Sequence, residues 1–276
     1  MTEPIFRPWQ PEDAQATARL WSEVFGDSVE VVLQIYDLFA KQPGFCAVGE
    51  IDGTIAAAAY CLDGLALRQL GTADQPAAYL YAVATDPAFR SRGLAARLCR
   101  LLRDWAFARG NTYLFTRPAE PTLFPWYAEK IGAIPALSRK MLTADAPCPG
   151  GTVTKLSPEA YGTRREALLR DVPHITLDWP LLQLENLFHR SYGGAFLDVD
   201  GGVADVYAAE NAVDVQELLL PPGTDPQRAL EKILAHFGVR RGTAALPRAG
   251  ECYISCAPGP HAPALSADAW FGPAFG

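Results

Sequence analysis

A strand, a helix and a second strand follow one another between residues 78 and 116 with almost no connecting chain. This is the most constraining feature of the sequence. Ala78 to Thr85 is an apolar run stopped by Asp86-Pro87. From Gly93 to Arg109, Leu94, Leu98, Leu101, Leu102 and Trp105 recur on one helical face, and Gly110 follows as a stop. Thr112 to Thr116 then returns to strand-like residues. A helix that joins neighbouring strands in this way makes them parallel, with a right-handed crossover.

Antiparallel pieces flank this unit. Phe45 to Ile51 and Thr54 to Cys61 surround Asp52-Gly53, a dipeptide that supplies the positive φ of a tight hairpin turn. The expected fold is therefore α/β with a mixed sheet. Ahead of the hairpin, Pro4 to Trp9 reads as a strand. Pro11-Glu12-Asp13 starts a helix that carries Ala14, Ala18, Trp21 and Phe25 at helical spacing, and a second helix runs from Val29 to Ala40. After the crossover, Leu123 to Ile131 reads as a helix and Ala136 to Leu142 as a strand.

The order then repeats. Helices at 158–169 and 177–189 precede a hairpin on Asp200-Gly201-Gly202. Strands at 203–208 and 213–220, a helix at 225–237 and a strand at 243–246 follow. Two helices, a hairpin, a strand, a helix and a strand thus occur twice, which reads as an internal duplication. Residues 144–151 are rich in Pro and Gly and read as a linker. The expected domains are 1–145, a linker at 146–151, and 152–276.

A chain of 276 residues, 49% hydrophobic, has ample apolar material for two small cores, so wholesale disorder is excluded. The longest apolar run, Ile55 to Leu62, is far short of the ~18 residues of a membrane span. The N-terminus lacks the pattern of a secretory signal. A net charge of −7 is a poor footprint for nucleic-acid binding. The six cysteines include no CxxC pair, and the four histidines form no HExxH or Cys/His motif. The expectation is a reduced cytoplasmic protein without a metal, not associated with membranes or nucleic acid. Cys252 and Cys256 are expected to be buried strand thiols.

Chemistry concentrates at the strand-to-helix junction, Tyr79 to Leu98. The loop Arg90-Ser91-Arg92-Gly93 leads into a helix start of small residues, Ala95 and Ala96. Helix N-termini present unpaired N–H groups and partial positive charge, which suit a phosphate, and the two arginines add to both. The same pattern also fits an arginine-decorated helix start on a solvated surface.

Arg90-Ser-Arg-Gly93-Leu-Ala95 resembles the Arg/Gln-x-x-Gly-x-Gly/Ala signature of the GNAT acetyltransferase superfamily. Tyr81 to Pro87 is similar to its central strand, and Phe124 to Gly132 to its Phe-Tyr-x-x-x-Gly helix. The resemblance covers residues 3 to 143. The layout of the whole chain is similar to bacterial tandem-domain members, with a degenerate second domain. The resemblance implies acetyl-CoA as co-substrate and a primary amine, on a small molecule or peptide, as acceptor. It implies that the diphosphate lies on Arg90, Ser91, Arg92, Gly93, Leu94 and Ala95. It also implies that the pantetheine arm lies along Val83, Ala84 and Thr85, where a backbone amide polarises the thioester. Tyr127 corresponds to the family's proton donor to the departing thiolate, but stands one residue further from Gly132 than that tyrosine usually does. Either the helix carries a one-residue bulge or the acid is another group.

Glu23, Asp27 and Glu120 are candidate bases by position, and each also reads as an ordinary surface acid. The apolar tail Ala269 to Gly276 is expected to dock on the first domain, its carboxylate within reach of the site. Aligning the two halves on Gly110 and Gly242 places Asp225 where the first half has Gly93, and Pro222 where it has Arg90. Asp225 reads as a helix cap that would repel phosphate. Two other readings stay open: a non-catalytic acyl-CoA-binding protein, and an aminoacyl transferase of the tandem type.

Overall fold

The computed structural model describes residues 3–148 and 150–275. The chain forms two compact units, residues 1–66, 75–135 and 254–264 in the first, and 67–74, 136–253 and 265–276 in the second.

In the first unit, β1 (Ile5–Pro8) pairs antiparallel with β2 (Cys46–Ile51), which pairs antiparallel with β3 (Thr54–Arg68) across the Asp52-Gly53 turn. Asp52 and Gly53 have φ of 50° and 76°, as such a turn requires. The helices α1 (Ala14–Phe25) and α2 (Val29–Phe39) lie between β1 and β2 in sequence. The strand β4 (Gln75–Thr85) leads through α3 (Leu94–Ala108) to β5 (Tyr113–Thr116), and β4 and β5 are parallel. The crossover read from the leucine spacing is thus present. Leu94, Leu98, Cys99 and Leu102 of α3 are buried against Ala57, Ala59, Ala78 and Leu114 of the strands. α4 (Leu123–Ile131) closes the unit, ended by Gly132 at φ 72°.

The second unit starts with β6 (Ile134–Ala144), most of which belongs to it, and β7 (Val153–Lys155). The chain passes from one unit to the other at 135/136, ahead of the Pro- and Gly-rich stretch 144–151. Then follow α5 (Pro158–Leu168), β8 (His174–Leu177), α6 (Trp179–Tyr192), β9 (Gly194–Val199), β10 (Gly202–Ala208), β11 (Ala212–Leu219), α7 (Pro226–Phe237) and β12 (Arg241–Pro258). The strands lie in the order β12-β11-β10-β9-β7. β9 and β10 form the second hairpin, and β11 and β12 are parallel around α7. Leu230, Ile233 and Leu234 of α7 are buried against Val206, Val215 and Leu197.

The sequence reading missed β7 and β8, which are too short for a periodic signal, and stopped β12 at Leu246. β12 continues through Gly250, whose added Cβ would come within 2.3 Å of the Arg139 carbonyl oxygen. Gly250 stands where two backbones approach closely. β12 leaves the second unit after Tyr253, and its end pairs with β5 in the first, Ser255 opposite Thr116. This change of surroundings corrects the expectation for the thiols: Cys256 is buried, but Cys252 is exposed.

The tail also departs from expectation. Residues 269–275 belong to the second unit. Trp270, 1% exposed, donates its Nε1 hydrogen to buried Glu217 at 2.5 Å, and its backbone pairs with Pro173 and Ile175. Glu217 also accepts from the Nε of Arg165 at 2.9 Å and from the Tyr161 hydroxyl. A buried carboxylate needs such donors, and the tail supplies one. The carboxylate of Gly276 lies outside the described residues.

Candidate functional site

The site begins with a strained residue. Ala82, inside β4, has φ of 45°. A non-glycine residue in this left-handed region costs ~1–2 kcal/mol and persists only where its surroundings hold it. β4 pairs with β5 from Ala77 to Leu80, before the strained residue, and then runs on to Thr85. Val83 and Thr85 line a groove of about 370 Å³. Ala84, between them, is 1% exposed and does not line it.

The loop after β4 is shaped by local chemistry. Asp86 accepts a hydrogen bond from the Ala88 amide at 2.8 Å, which turns the chain at Pro87. Ser91 and Gly93 both have positive φ, 62° and 75°. Left-handed residues interspersed in this way turn backbone N–H groups toward one side, the geometry of an anion-binding concavity. The first turn of α3 has no side-chain cap, because its N-cap is Gly93. In α2, α5, α6 and α7 the caps Ser28, Ser157, Asp178 and Asp225 fill that role. Leu94, Ala95 and Ala96 open onto the same groove.

The electrostatics agree. Among the described residues, the lining holds Arg90, Arg92 and Lys130 and no carboxylate. Arg90 donates from Nε to the Thr85 carbonyl at 3.3 Å, and Arg92 lies over the Phe89 ring at 5.1 Å. The structure therefore gathers Val83, Thr85 and the whole 90–95 loop around one groove. It adds Val24 of α1 and Trp126 and Lys130 of α4. Their spacing within their own helices carries no sign of a shared groove.

Tyr127 is placed differently. It is 8% exposed, packs with Ile131, Leu98 and Cys99, and does not line the groove, whereas Trp126 and Lys130 on the same helix do. Its hydroxyl engages Thr116 of β5, and burial raises its pKa, keeping it protonated. α4 is continuous from Leu123 to Ile131, without the one-residue bulge that would realign Tyr127 with the family pattern. Of the candidate bases, Glu23 and Glu120 are exposed. Asp27 accepts from the Trp21 indole at 2.6 Å. None of the three lines the groove.

The second unit offers a contrast at the matching position. Asp225 caps α7 by accepting from the Gln227 amide at 3.0 Å, and Pro226 occupies the first helical position. The adjoining groove, about 210 Å³, is bordered by Pro221, Pro222 and Gly223, and its described lining contains no charged side chain. An amide spent on Asp225 and an absent cation remove both sources of attraction for a phosphate.

Residues 9–133 match the model of the Acetyltransferase (GNAT) family, and this part of the chain is a GNAT domain. No curated protein matches the sequence. Solved structures share the fold at low identity. A conserved protein of unknown function from Enterococcus faecalis V583 is 11% identical with a TM-score of 0.68, over 93% of this chain and 73% of its own. A GCN5-related N-acetyltransferase from Anabaena variabilis is 12% identical with a TM-score of 0.67, over 92% and 72%. One from Sphaerobacter thermophilus is 17% identical with a TM-score of 0.54, over 96% and 98%. Among the described residues, no helix is long and apolar enough to cross a membrane.

Proposed function

We propose that the chain is an acyl-CoA-dependent N-acetyltransferase, with acetyl-CoA as donor and a primary amine of a small molecule or peptide as acceptor. The carrying observation is that one groove joins an uncapped helix start, three cations and the strand beyond Ala82. The diphosphate would lie on the amides of 90–95, flanked by Arg90 and Arg92. The pantetheine arm would run along Val83 to Thr85. The neutral amine attacks the thioester carbonyl, the C–N bond forms, the C–S bond breaks, and the amine nitrogen gives up a proton to water. The departing thiolate takes a proton, a role we assign to Tyr127, which burial keeps protonated. The transfer itself calls for no metal at this groove.

We further propose that the two units are tandem GNAT-like domains, the second degenerate and without a cofactor of its own, and that the protein works in the cytoplasm. The neutral groove at Asp225 supports this reading.

A second reading, a non-catalytic acyl-CoA binder, is favoured by the position of Tyr127 away from the groove lining. Titration calorimetry with acetyl-CoA, followed by thioester-release assays over a panel of amines, separates the two. Binding at one equivalent with release on an amine supports the enzyme. Binding without release on any amine supports the binder. Absence of binding overturns both.

A further inference from the structure

The second unit buries three ionisable side chains together. Glu185 and His189 stand one helical turn apart on α6, and Asp205 lies on the adjoining β10. One ligand-type atom from each falls within 4.8 Å of the others. Glu185 and Asp205 are fully buried and His189 is 5% exposed. The His189 Nε2 is 2.7 Å from Asp205 Oδ1, and the Tyr207 hydroxyl donates to Glu185 Oε2 at 2.5 Å.

His189 Nδ1 and Asp205 Oδ2 are buried without a hydrogen-bond partner, while the Glu185 carboxyl meets the Phe275 backbone as well as the Tyr207 hydroxyl. Buried lone pairs of this kind are costly, and carboxyl groups ionise in a dry interior only beside a compensating charge. The nearby Arg165 is paired with Glu217 at 2.9 Å. The surroundings are shaped around the imidazole: the Phe196 ring meets it edge-on at 4.6 Å, and a Cβ on Gly194 would lie 3.1 Å from its Cδ2.

We propose that Glu185, His189 and Asp205 form a structural site for one divalent transition-metal cation, with Zn²⁺ as the representative ion. A charge of plus two neutralises the carboxylate pair and gives the unpaired Asp205 Oδ2 a partner beside His189 Nε2. One imidazole and two carboxylates are a donor set that suits Zn²⁺. Three protein atoms in a closed site do not supply the six or more oxygens that Ca²⁺ takes. Tyr207 is a positioning residue that orients the Glu185 carboxylate. The absence of a metal expected from the sequence rested on motif spacing within the chain. Asp205 lies on a different element from the two α6 residues, so no linear motif records it.

The test uses the full chain, stripped with chelator and titrated with ZnCl2 by calorimetry while its melting temperature is followed. One equivalent should bind and raise the melting temperature. His189→Gln and Asp205→Asn should abolish both effects, and Tyr207→Phe should weaken binding ~10-fold. Cys252→Ser, which removes the exposed thiol, should change neither. Should the ligand variants fail to fold, the Co²⁺-substituted wild type decides. Visible d–d bands without thiolate charge transfer support the site. Thiolate charge transfer, binding retained in folded Asp205→Asn, or no stoichiometric binding by the wild type would overturn it.

Discussion

The Nε of Arg90 donates to the carbonyl oxygen of Thr85 at 3.3 Å, tying the first residue of the 90–95 loop to the last residue of β4. One contact thus couples the two halves of the groove. Arg90→Ala should weaken acetyl-CoA binding ~10-fold or more, since a charge-assisted hydrogen bond contributes ~1.5–3 kcal/mol. Gly93→Glu should abolish it, by placing a negative charge against the diphosphate. Gly93→Ala serves as the control. Its Cβ would meet nothing within 4 Å, but φ of 75° is strained for alanine, so stability should fall by ~1 kcal/mol. Calorimetric binding and thermal melts read the two effects separately.

Tyr127→Phe addresses the proton donor. A positioned acid contributes ~10²-fold or more to rate. The variant should lower turnover by that factor and leave the acetyl-CoA dissociation constant unchanged. An unaltered rate would assign the hydroxyl to its contact with Thr116 alone.

The first helix should confer a pH dependence at the acid end. Asp13 accepts from both terminal nitrogens of Arg7, at 2.6 and 2.9 Å, and from the Gln10 amide at 2.8 Å. The Arg7 bond first, then the amide, hold its carboxyl below the ordinary 3.8 against the opposing effect of burial. A depressed carboxylate pKa adds stability above 3.8 that is lost as pH falls through the native value. Asp13→Asn should therefore cost ~1 kcal/mol near pH 7 and progressively less below about pH 4. Denaturant melts across that range check the sign.

Thiol labelling should follow burial. Cys61, Cys99 and Cys256 are pushed up to about 12 by desolvation, and burial raises Cys46 well above its ordinary value too. A thiol in that state supplies almost no thiolate at neutral pH. Brief alkylation of the native chain, mapped by mass spectrometry, should label exposed Cys252 first and spare those four.

Truncation after Asp268 removes Trp270, Phe271 and Phe275, all at most 1% exposed. Burial of such side chains contributes ~1.5–3 kcal/mol each. The cut also takes a donor from Glu217 and the Phe271 carbonyl from Arg165. The melting temperature should drop sharply. A truncated chain as stable as the full one would mean that the tail contributes nothing to the second unit.

Local physics was legible in the residues themselves. Leucine spacing defined α3, and Asp52-Gly53 and Asp200-Gly201 defined the hairpins. Each rests on neighbours in sequence, where period and turn chemistry act directly. The left-handed Ala82 had no such sign, because alanine does not seek that region and only its surroundings hold it there. Nor did the helix spacing reveal that Trp126 and Lys130 border the groove while Tyr127 between them packs inward. The course of the tail to Glu217 and the meeting of Glu185 and His189 with Asp205 likewise join distant segments. Packing brings such residues together through the summed burial of whole faces, which leaves no trace in the spacing of any single stretch.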